Sequence, residues 1–316
     1  MISFLNLKNS LSDDVCALCL VGNDRWLKRK AVVTVCEAFG VVDDGFGVDR
    51  LDAPSYNEVE TACCTPSMFC AKKIVVVENF QIPQGKQQQT SEKLSALISR
   101  CDGSFCLVFF ADEPDFFNKV TGLTMVDCDR LDNASVVKWI VAYAKRQGVA
   151  IAPSCASKIA EYCLSDMSRV STETQKLLDY GEVTAETVEL LVHKDSEYVV
   201  FNLSKTICDK NAQAALELYK GLISSGEDAR GIFALLYNTF RRAYYVKTSE
   251  FTTPRLSEML GVKPYAVEKS KEIAAAYKPM QLKRLLNCFE DADCKLKAFA
   301  DETEVMTTLI LQLVSL

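Results

Sequence analysis

The sequence is poor in the residues from which catalytic sites are built. Its 316 residues include one histidine, His193, which ends a helical pattern, and no GxSxG motif. A Ser/His/Asp or Cys/His catalytic set therefore lacks its residues. With only 13 glycines and 8 prolines beside 49% hydrophobic residues, the chain is typical of a folded globular protein and not of a disordered one.

An excess of positive charge and a long apolar run are also missing. The net charge is −6, so nothing in the total attracts nucleic acid. The first residues, MISFLNLKNSLSDD, do not resemble an export signal. No run approaches the roughly 18 uninterrupted apolar residues of a membrane span. We therefore predict a cytoplasmic protein without a membrane partner.

Cysteine is the exception to this scarcity, with 14 residues. Without an export signal they are predicted to be reduced, small hydrophobic side chains. Cys16 and Cys19 have the spacing of metal ligands, but no second CxxC completes a tetrahedral site. Positions three apart on a strand also face opposite ways. No metal and no cofactor are predicted.

Residues 1–133 alternate short apolar runs with helical patterns, which predicts a parallel sheet with crossover helices. The predicted strands are 15–22, 46–53, 73–80, 104–112 and 123–129. The predicted helices are Asp24–Phe39, capped by Asn23 or Asp24, then Tyr56–Cys64 and Thr90–Cys101. The segment QIPQGKQQQT is predicted to be a polar loop.

After Asp132 the strand patterns stop. Helical patterns at short spacing predict a small helical domain at 134–206, and longer ones predict a helical domain at 207–316. The expected fold class is α/β followed by all-α, in three domains. One late apolar stripe suits either a core or a contact with another subunit: Leu282, Leu285, Leu286, Phe289 and Leu296.

The turn after the first predicted strand is where a P-loop would bind phosphates. Here the turn reads LVGNDRWLKRK, with Gly22, Asn23 and Asp24 but no Gly-Lys-Ser/Thr, and with a bulky tryptophan close to the phosphate position. The strand LVFFADEPD ends in Asp112 and Glu113, which imitate a magnesium-holding acidic pair. Because the phosphate cradle is missing, we predict a degenerate loop without nucleotide binding.

Six stretches of the sequence together carry a family resemblance. They are CLVGNDRWLKRKAV, PSMFCAKKIVVVENF, DMSRVSTETQKLLDYGEVTAETVELLV, FNLSKTICDKNAQAALELYKGLISSGEDARGIFALLYNTFRR, LGVKPYAVEKSKEIA and DADCKLKAF. In this order and spacing they resemble the delta subunit of the bacterial DNA polymerase III clamp loader. The resemblance implies a degenerate P-loop, AAA+-like domain at 1–133, a lid domain at 134–206 and a collar domain at 207–316.

The same resemblance implies a function and partners. The subunit would join motor (gamma/tau) and delta-prime subunits in a hetero-pentamer that acts on primer-template DNA and on the sliding clamp (beta). It would be non-catalytic by its own residues, although counted within the DNA-directed DNA polymerase activity of the holoenzyme. In the family a hydrophobic residue followed by Phe enters an apolar pocket on the clamp and favours an opened ring. Carried onto this sequence, that pair is Met68 and Phe69, with further contacts expected around Thr61 to Thr65.

Three alternatives stay open at this point. An AAA+ ATPase could use Asp112 and Glu113 with an atypical nucleotide site, and ATP binding would identify it. A helical DNA-binding regulator could use SEMLGVKPYAVEKSKEI as a helix-turn-helix, although the near-neutral charge of 207–316 weighs against it. Met68 and Phe69 could also fold inward, since large apolar residues beside a strand usually pack in a core.

Overall fold

The protein is described by a computed structural model. It describes residues 1–12, 15–43, 45–67, 70–262, 264–298 and 300–316, with backbone only at 264 and 265. The chain divides into two compact units, which are Met1–Ala160 with Ser165–Leu191, and Glu161–Leu164 with Val192–Leu316. The boundaries after residues 133 and 206 stay a prediction.

Six parallel strands form one sheet in the first unit. They are β1 Ile2–Ser3, β2 Ala17–Val21, β3 Val48–Asp52, β4 Lys73–Glu78, β5 Phe105–Ala111 and β6 Thr124–Asp127, in the spatial order β1-β6-β2-β5-β4-β3. All five predicted strands are present. The two-residue β1 was not predicted, because it is too short to show a period.

Eight α-helices accompany the sheet in residues 1–191 of the described chain. They are α1 Leu7–Ser10, α2 Arg25–Phe39, α3 Tyr56–Cys64, α4 Gln87–Ser99, α5 Asn133–Arg146, α6 Pro153–Tyr162, α7 Met167–Tyr180 and α8 Ala185–Leu191. The polar-loop prediction for QIPQGKQQQT was wrong at its end, because α4 begins at Gln87 and not at Thr90. Glutamine is a good helix former, so a polar run need not be a loop.

Both faces of the sheet are covered, as expected for parallel strands. Alternate residues of the central strands, such as Val75, Leu107 and Phe109, pack against α3 and α4 through Val59 and Leu94. The strand residues between them, such as Ile74 and Val108, are also buried. The sheet is therefore buried on both faces, and its loops lie at the ends of the strands. The side where the strands begin is called the amino edge, and the side where they end is called the carboxyl edge.

The second unit is helical, which confirms the α/β then all-α fold class. Its long helices are α9 Ser196–Cys208, α10 Ala212–Ser224, α11 Ala229–Thr248, α12 Thr253–Leu260, α13 Pro264–Ala275, α14 Pro279–Lys297 and α15 Glu302–Ser315. Phe289 of α14 lies at the centre, with its ring 5.7 to 5.8 Å from those of Phe233, Tyr237 and Phe240 on α11. The late apolar stripe is thus mainly core of this unit.

Across the described parts of the chain, no helix combines the length and the apolarity that a membrane crossing requires.

Candidate functional site

The carboxyl edge of the sheet is where an open α/β fold would bind a ligand. There, residues 22–24 connect β2 to α2, and Asp24 caps the helix as predicted. Its carboxylate oxygen Oδ1 accepts the N–H groups of Trp26 at 2.9 Å and Leu27 at 3.1 Å. The anion position at the start of α2 is therefore filled by the chain's own carboxylate.

The remaining N–H groups of this connection are also donated within the protein. Gly22 donates to Ala111 O at 3.0 Å, Asn23 to Asp129 Oδ1 at 3.0 Å, and Asp24 to Cys128 O at 3.2 Å. A P-loop needs these backbone donors to point at phosphate oxygens. The three-residue connection is consequently a tight structural turn and not a phosphate cradle.

Gly22 is required here by close packing. Its φ is +130°, and a Cβ at this position would lie 2.4 Å from the Asp129 backbone N and 2.5 Å from the Cys128 carbonyl carbon. The chain leaving β6 thus passes directly over Gly22. This contact explains the glycine without any nucleotide.

Lys28 is a residue whose position the sequence interpretation overlooked. Counted from Gly22, it holds the place of the P-loop lysine, but Leu27 replaces the second glycine and Arg29 replaces the hydroxyl residue. The Lys28 side chain is buried, and its Nζ lies 3.0 Å from Asp112 Oδ1. Asp112 is therefore an ion-pair partner of this lysine, while its side chain stays 80% exposed.

An open cavity of about 600 Å³ lies beside this ion pair at the carboxyl edge. Charges of both signs line it, including Arg25, Lys119, Glu78 and Glu113. Among the described residues, no group of three or more histidine, cysteine or acidic side chains is arranged to hold a metal ion. The cavity therefore has neither the charge of one sign that a polyphosphate needs nor a cluster of metal ligands.

The opposite, amino edge of the sheet carries the connection between α3 and β4. The predicted clamp-binding residues, Met68 and Phe69, lie in this connection but outside the described residues. On one side of them, α3 ends at Cys64 because the backbone becomes extended at Thr65. The N–H and the hydroxyl of Thr65 both donate to Thr61 O, at 3.0 and 2.7 Å. Next to them, the Ser67 hydroxyl donates to Phe46 O at 3.1 Å.

Lys73, the first residue of β4, is a buried cation at this edge. Its Nζ lies 2.6 Å from Asp49 Oδ2 on β3 and donates to the carbonyls of Ala62 and Thr65 at 3.1 and 3.3 Å. The ammonium thus joins β3 to the end of α3, where the connection begins. Sequence reasoning missed this role, because a lysine at the start of a strand is usually solvated.

Lys72, the residue before β4, contacts a different helix. Its Nζ lies 3.7 Å from the centre of the Phe39 ring at the end of α2 and donates to Val15 O at 3.2 Å. The two lysines therefore attach the end of the connection to different elements. The described part of this connection is fixed at both ends.

Two side chains at opposite ends of α3 have raised pKa values. At the amino edge, burial raises the pKa of the Cys63 thiol to about 12. At the other end of the helix, burial and a hydrogen bond with Glu60 raise the pKa of Tyr56 to about 12. These two groups therefore stay protonated near neutral pH.

The helix-turn-helix alternative has a partial counterpart in the second unit. Helix α12 ends at Gly261, whose φ is +61°, and α13 follows. Nearby, Arg242 donates to the hydroxyls of Ser270 on α13 and Thr239 on α11, and desolvation by burial lowers the pKa of its guanidinium. The guanidinium of Arg242 is thus bonded inside the helical unit.

Two family models match this chain. One, described as DNA polymerase III, delta subunit, matches residues 18–134. The other, described as DNA polymerase III delta subunit, C-terminal domain, matches residues 197–313. The two matches follow the order of that subunit and together span most of the chain.

A relative and a solved structure agree with these matches. DNA polymerase III subunit delta of Bacillus subtilis (strain 168) is 21% identical over 317 residues, covering 93% of this chain and 91% of that protein. The structure of the Bacillus subtilis DNA clamp loader delta protein (YqeN) has a TM-score of 0.78 at 18% identity, covering 99% of this chain and 98% of that one. That similarity shows a common fold. Taken with the two family matches, it places this chain in the family of DNA polymerase III delta subunits.

Proposed function

We propose that this chain is a clamp-loader subunit that binds the sliding clamp through Met68 and Phe69 and favours opening of the ring during DNA replication. The observation that carries the proposal is the turn at Gly22–Asp24. Its backbone N–H groups and those at the start of α2 donate hydrogen bonds to acceptors within the protein. A subunit of this family with such a turn would bind the sliding clamp without binding ATP. Its motor partners would bind and hydrolyse ATP.

The surroundings of the predicted pair suit a presented segment. The described residues on either side of positions 68 and 69 are attached to other elements, Thr65 through Lys73 to β3 and Lys72 to α2. Anchoring the residues that flank a binding segment reduces the entropy that is lost on association. This attachment supports the assignment of Met68 and Phe69 as the clamp contact.

The magnitudes show how much of the interface this pair can supply. Burying one Met and one Phe contributes about 1.5 to 3 kcal/mol each, whereas micromolar affinity needs about 8 kcal/mol. The pair can therefore be a hot spot but needs neighbours. The exposed end of α3, around Thr61 to Thr65, is the neighbour expected from the sequence.

The proposal extends to the assembly. Residues 207–316 would form the collar through which the subunit joins motor (gamma/tau) and delta-prime subunits, with residues 134–206 as a lid-like domain. The assembled loader would act on primer-template DNA in the cytoplasm. Recovery of the clamp and of the motor subunits with the tagged full-length protein from its own cell extract is the expected result.

The test of the clamp contact is the double variant Met68→Ala/Phe69→Ala, measured by calorimetry against the purified clamp. A hot-spot pair predicts a loss of affinity of about 100-fold or more. A matched control is Phe251→Ala/Met259→Ala in the second unit, where the same two residue types are 52% and 56% exposed. Undiminished clamp affinity in a folded Met68→Ala/Phe69→Ala variant would show that the assignment is wrong.

A further inference from the structure

The connection before β3 is a second candidate contact surface at the amino edge. Strands β3 and β4 are parallel neighbours, with Val48 paired to Ile74. The connections that enter them must therefore reach the same edge side by side. The Ile74 N–H donates to Gly47 O at 2.9 Å, and the Ser67 hydroxyl donates to Phe46 O. The chain around Phe46 thus lies directly beside Ser67, the residue that precedes the predicted clamp-binding pair in the sequence.

Two large apolar side chains of this connection are exposed to solvent. Val42 is 66% exposed and Phe46 is 61% exposed. Among the described large apolar residues up to residue 134, only these two and Met1 exceed one half. A single exposed apolar residue needs no explanation, whereas two on one short connection beside Ser67 suit a contact with another protein.

The backbone of this connection is held close to its neighbour. A Cβ at Gly47 would lie 2.5 Å from Val41 Cγ1 and 3.1 Å from Cys70 Sγ, so the two connections pack tightly at this point. Asp43 also pairs with Arg50 of β3, at 2.6 Å between Oδ2 and the guanidinium. Contacts of Asp43 and Gly47 on either side of Phe46 therefore restrain this part of the chain. Such restraint reduces the conformational entropy that is lost on binding.

We propose that Val42 and Phe46 form a second apolar contact with the sliding clamp, next to Met68 and Phe69. This inference rests on the proposed function, because it assigns the same partner to an adjoining surface. The position of Phe46 argues for that partner. The Phe46 carbonyl accepts a hydrogen bond from Ser67, so a protein bound to residues 68 and 69 would also reach Phe46. It also supplies the apolar area that the first pair lacks.

The test compares three variants in one clamp-binding titration with the purified ring. Phe46→Ala should weaken affinity about 10-fold, since a peripheral aromatic contact is worth less than a central hot spot. Phe251→Ala, the matched control with a similarly exposed Phe, should bind as the unchanged protein does. Phe46→Asp is the second variant. It adds a charge at an exposed site, so it should keep the fold while weakening binding further than Phe46→Ala.

The outcomes separate this inference from the proposed function. If Phe46→Ala and Phe46→Asp bind normally while Met68→Ala/Phe69→Ala loses affinity, the second contact is wrong and the first stands. If the Phe46 variants lose affinity and the double variant does not, the second contact holds and the Met68/Phe69 assignment is wrong. Tryptophan fluorescence at increasing urea checks that the first-unit variants are folded, and far-ultraviolet circular dichroism checks Phe251→Ala in the helical second unit. Normal binding by both Phe46 variants overturns the inference in every case.

Discussion

The two edges of the same sheet have opposite characters. At the carboxyl edge, Asp24 fills the helix start, Lys28 pairs with Asp112, and Gly22 is covered by the chain leaving β6. At the amino edge, Lys73 pairs with Asp49 where the connection from α3 to β4 begins. The neighbouring connection, which enters β3, exposes Phe46. One edge satisfies its own groups and the other presents apolar surface. In one sheet, therefore, the polar groups at one edge bond to each other while large apolar side chains are exposed at the other.

The largest expected effect tests the packing of the carboxyl edge. Gly22→Ala should lower the free energy of unfolding of the first unit by more than about 3 kcal/mol, because it combines a forbidden φ with backbone overlap. Gly45→Ala is the control at the amino edge. Its φ is +83° but nothing lies within 4 Å of the added Cβ, so it should cost only about 1 to 2 kcal/mol.

The measurement for both glycine variants is urea unfolding followed by tryptophan fluorescence. The chain has two tryptophans. Trp26 and Trp139 both lie in the first unit, with ring centres 5.4 Å apart. The signal therefore reports on the unit that contains the sheet. Equal losses in Gly22→Ala and Gly45→Ala would contradict the close approach at Gly22.

An intermediate effect compares the two buried lysines, one at each edge. Lys73→Met leaves the partly buried Asp49 and two helix-end carbonyls without their donor, and should cost roughly 2 to 4 kcal/mol of stability. Lys28→Met leaves Asp112, which is largely solvated, and should stay within about 1 kcal/mol of the unchanged protein. The same urea titration measures both. A larger loss in Lys28→Met than in Lys73→Met would reverse the comparison.

The smallest expected effect concerns the capping carboxylate. Asp24→Ala should lose about 1 kcal/mol of stability, as removal of an N-cap usually does. The control Asp132→Ala removes a comparable cap on α5, where the carboxylate accepts from Ser135 N–H at 2.7 Å. The two losses should be similar.

ATP binding is measured on Asp24→Ala, on Asp132→Ala and on the unchanged protein, to test whether the carboxyl edge can bind a nucleotide. Calorimetry with magnesium ATP should detect no binding in any of the three, because the other N–H groups of the turn remain donated within the chain. ATP binding by Asp24→Ala alone would mean that one carboxylate excludes the nucleotide. ATP binding by the unchanged protein would restore the ATPase alternative.

The secondary structure was largely predictable because its patterns are local. The apolar runs of β2, β4 and β5 lie in the sequence as continuous stretches, and Asp24 stands where a helix cap is expected. The start of α4 was predicted three residues too late, because the polar run of glutamines was taken for a loop although glutamine is a good helix former. The short β1 depends on pairing with β6, more than one hundred residues away in the sequence.

The candidate site was predictable only in part. Residue types alone gave the prediction that catalytic and metal sites are missing, since one histidine and no Gly-Lys-Ser/Thr are facts of composition and order, and this stays a prediction. The assignment of Met68 and Phe69 came from family resemblance and stays a prediction. The roles of Lys28 and Lys73 were missed, because their partners are distant in sequence or are backbone carbonyls.

The sequence by itself determined which local elements form and which chemistry lacks its residues, because periodicity and residue type act over short range. Only the tertiary structure decided which connections share an edge. Parallel pairing of β3 with β4 brings Phe46 beside Ser67, and the path of the chain after β6 fixes Gly22. These contacts depend on the order of strands in the sheet, which a one-dimensional pattern does not contain.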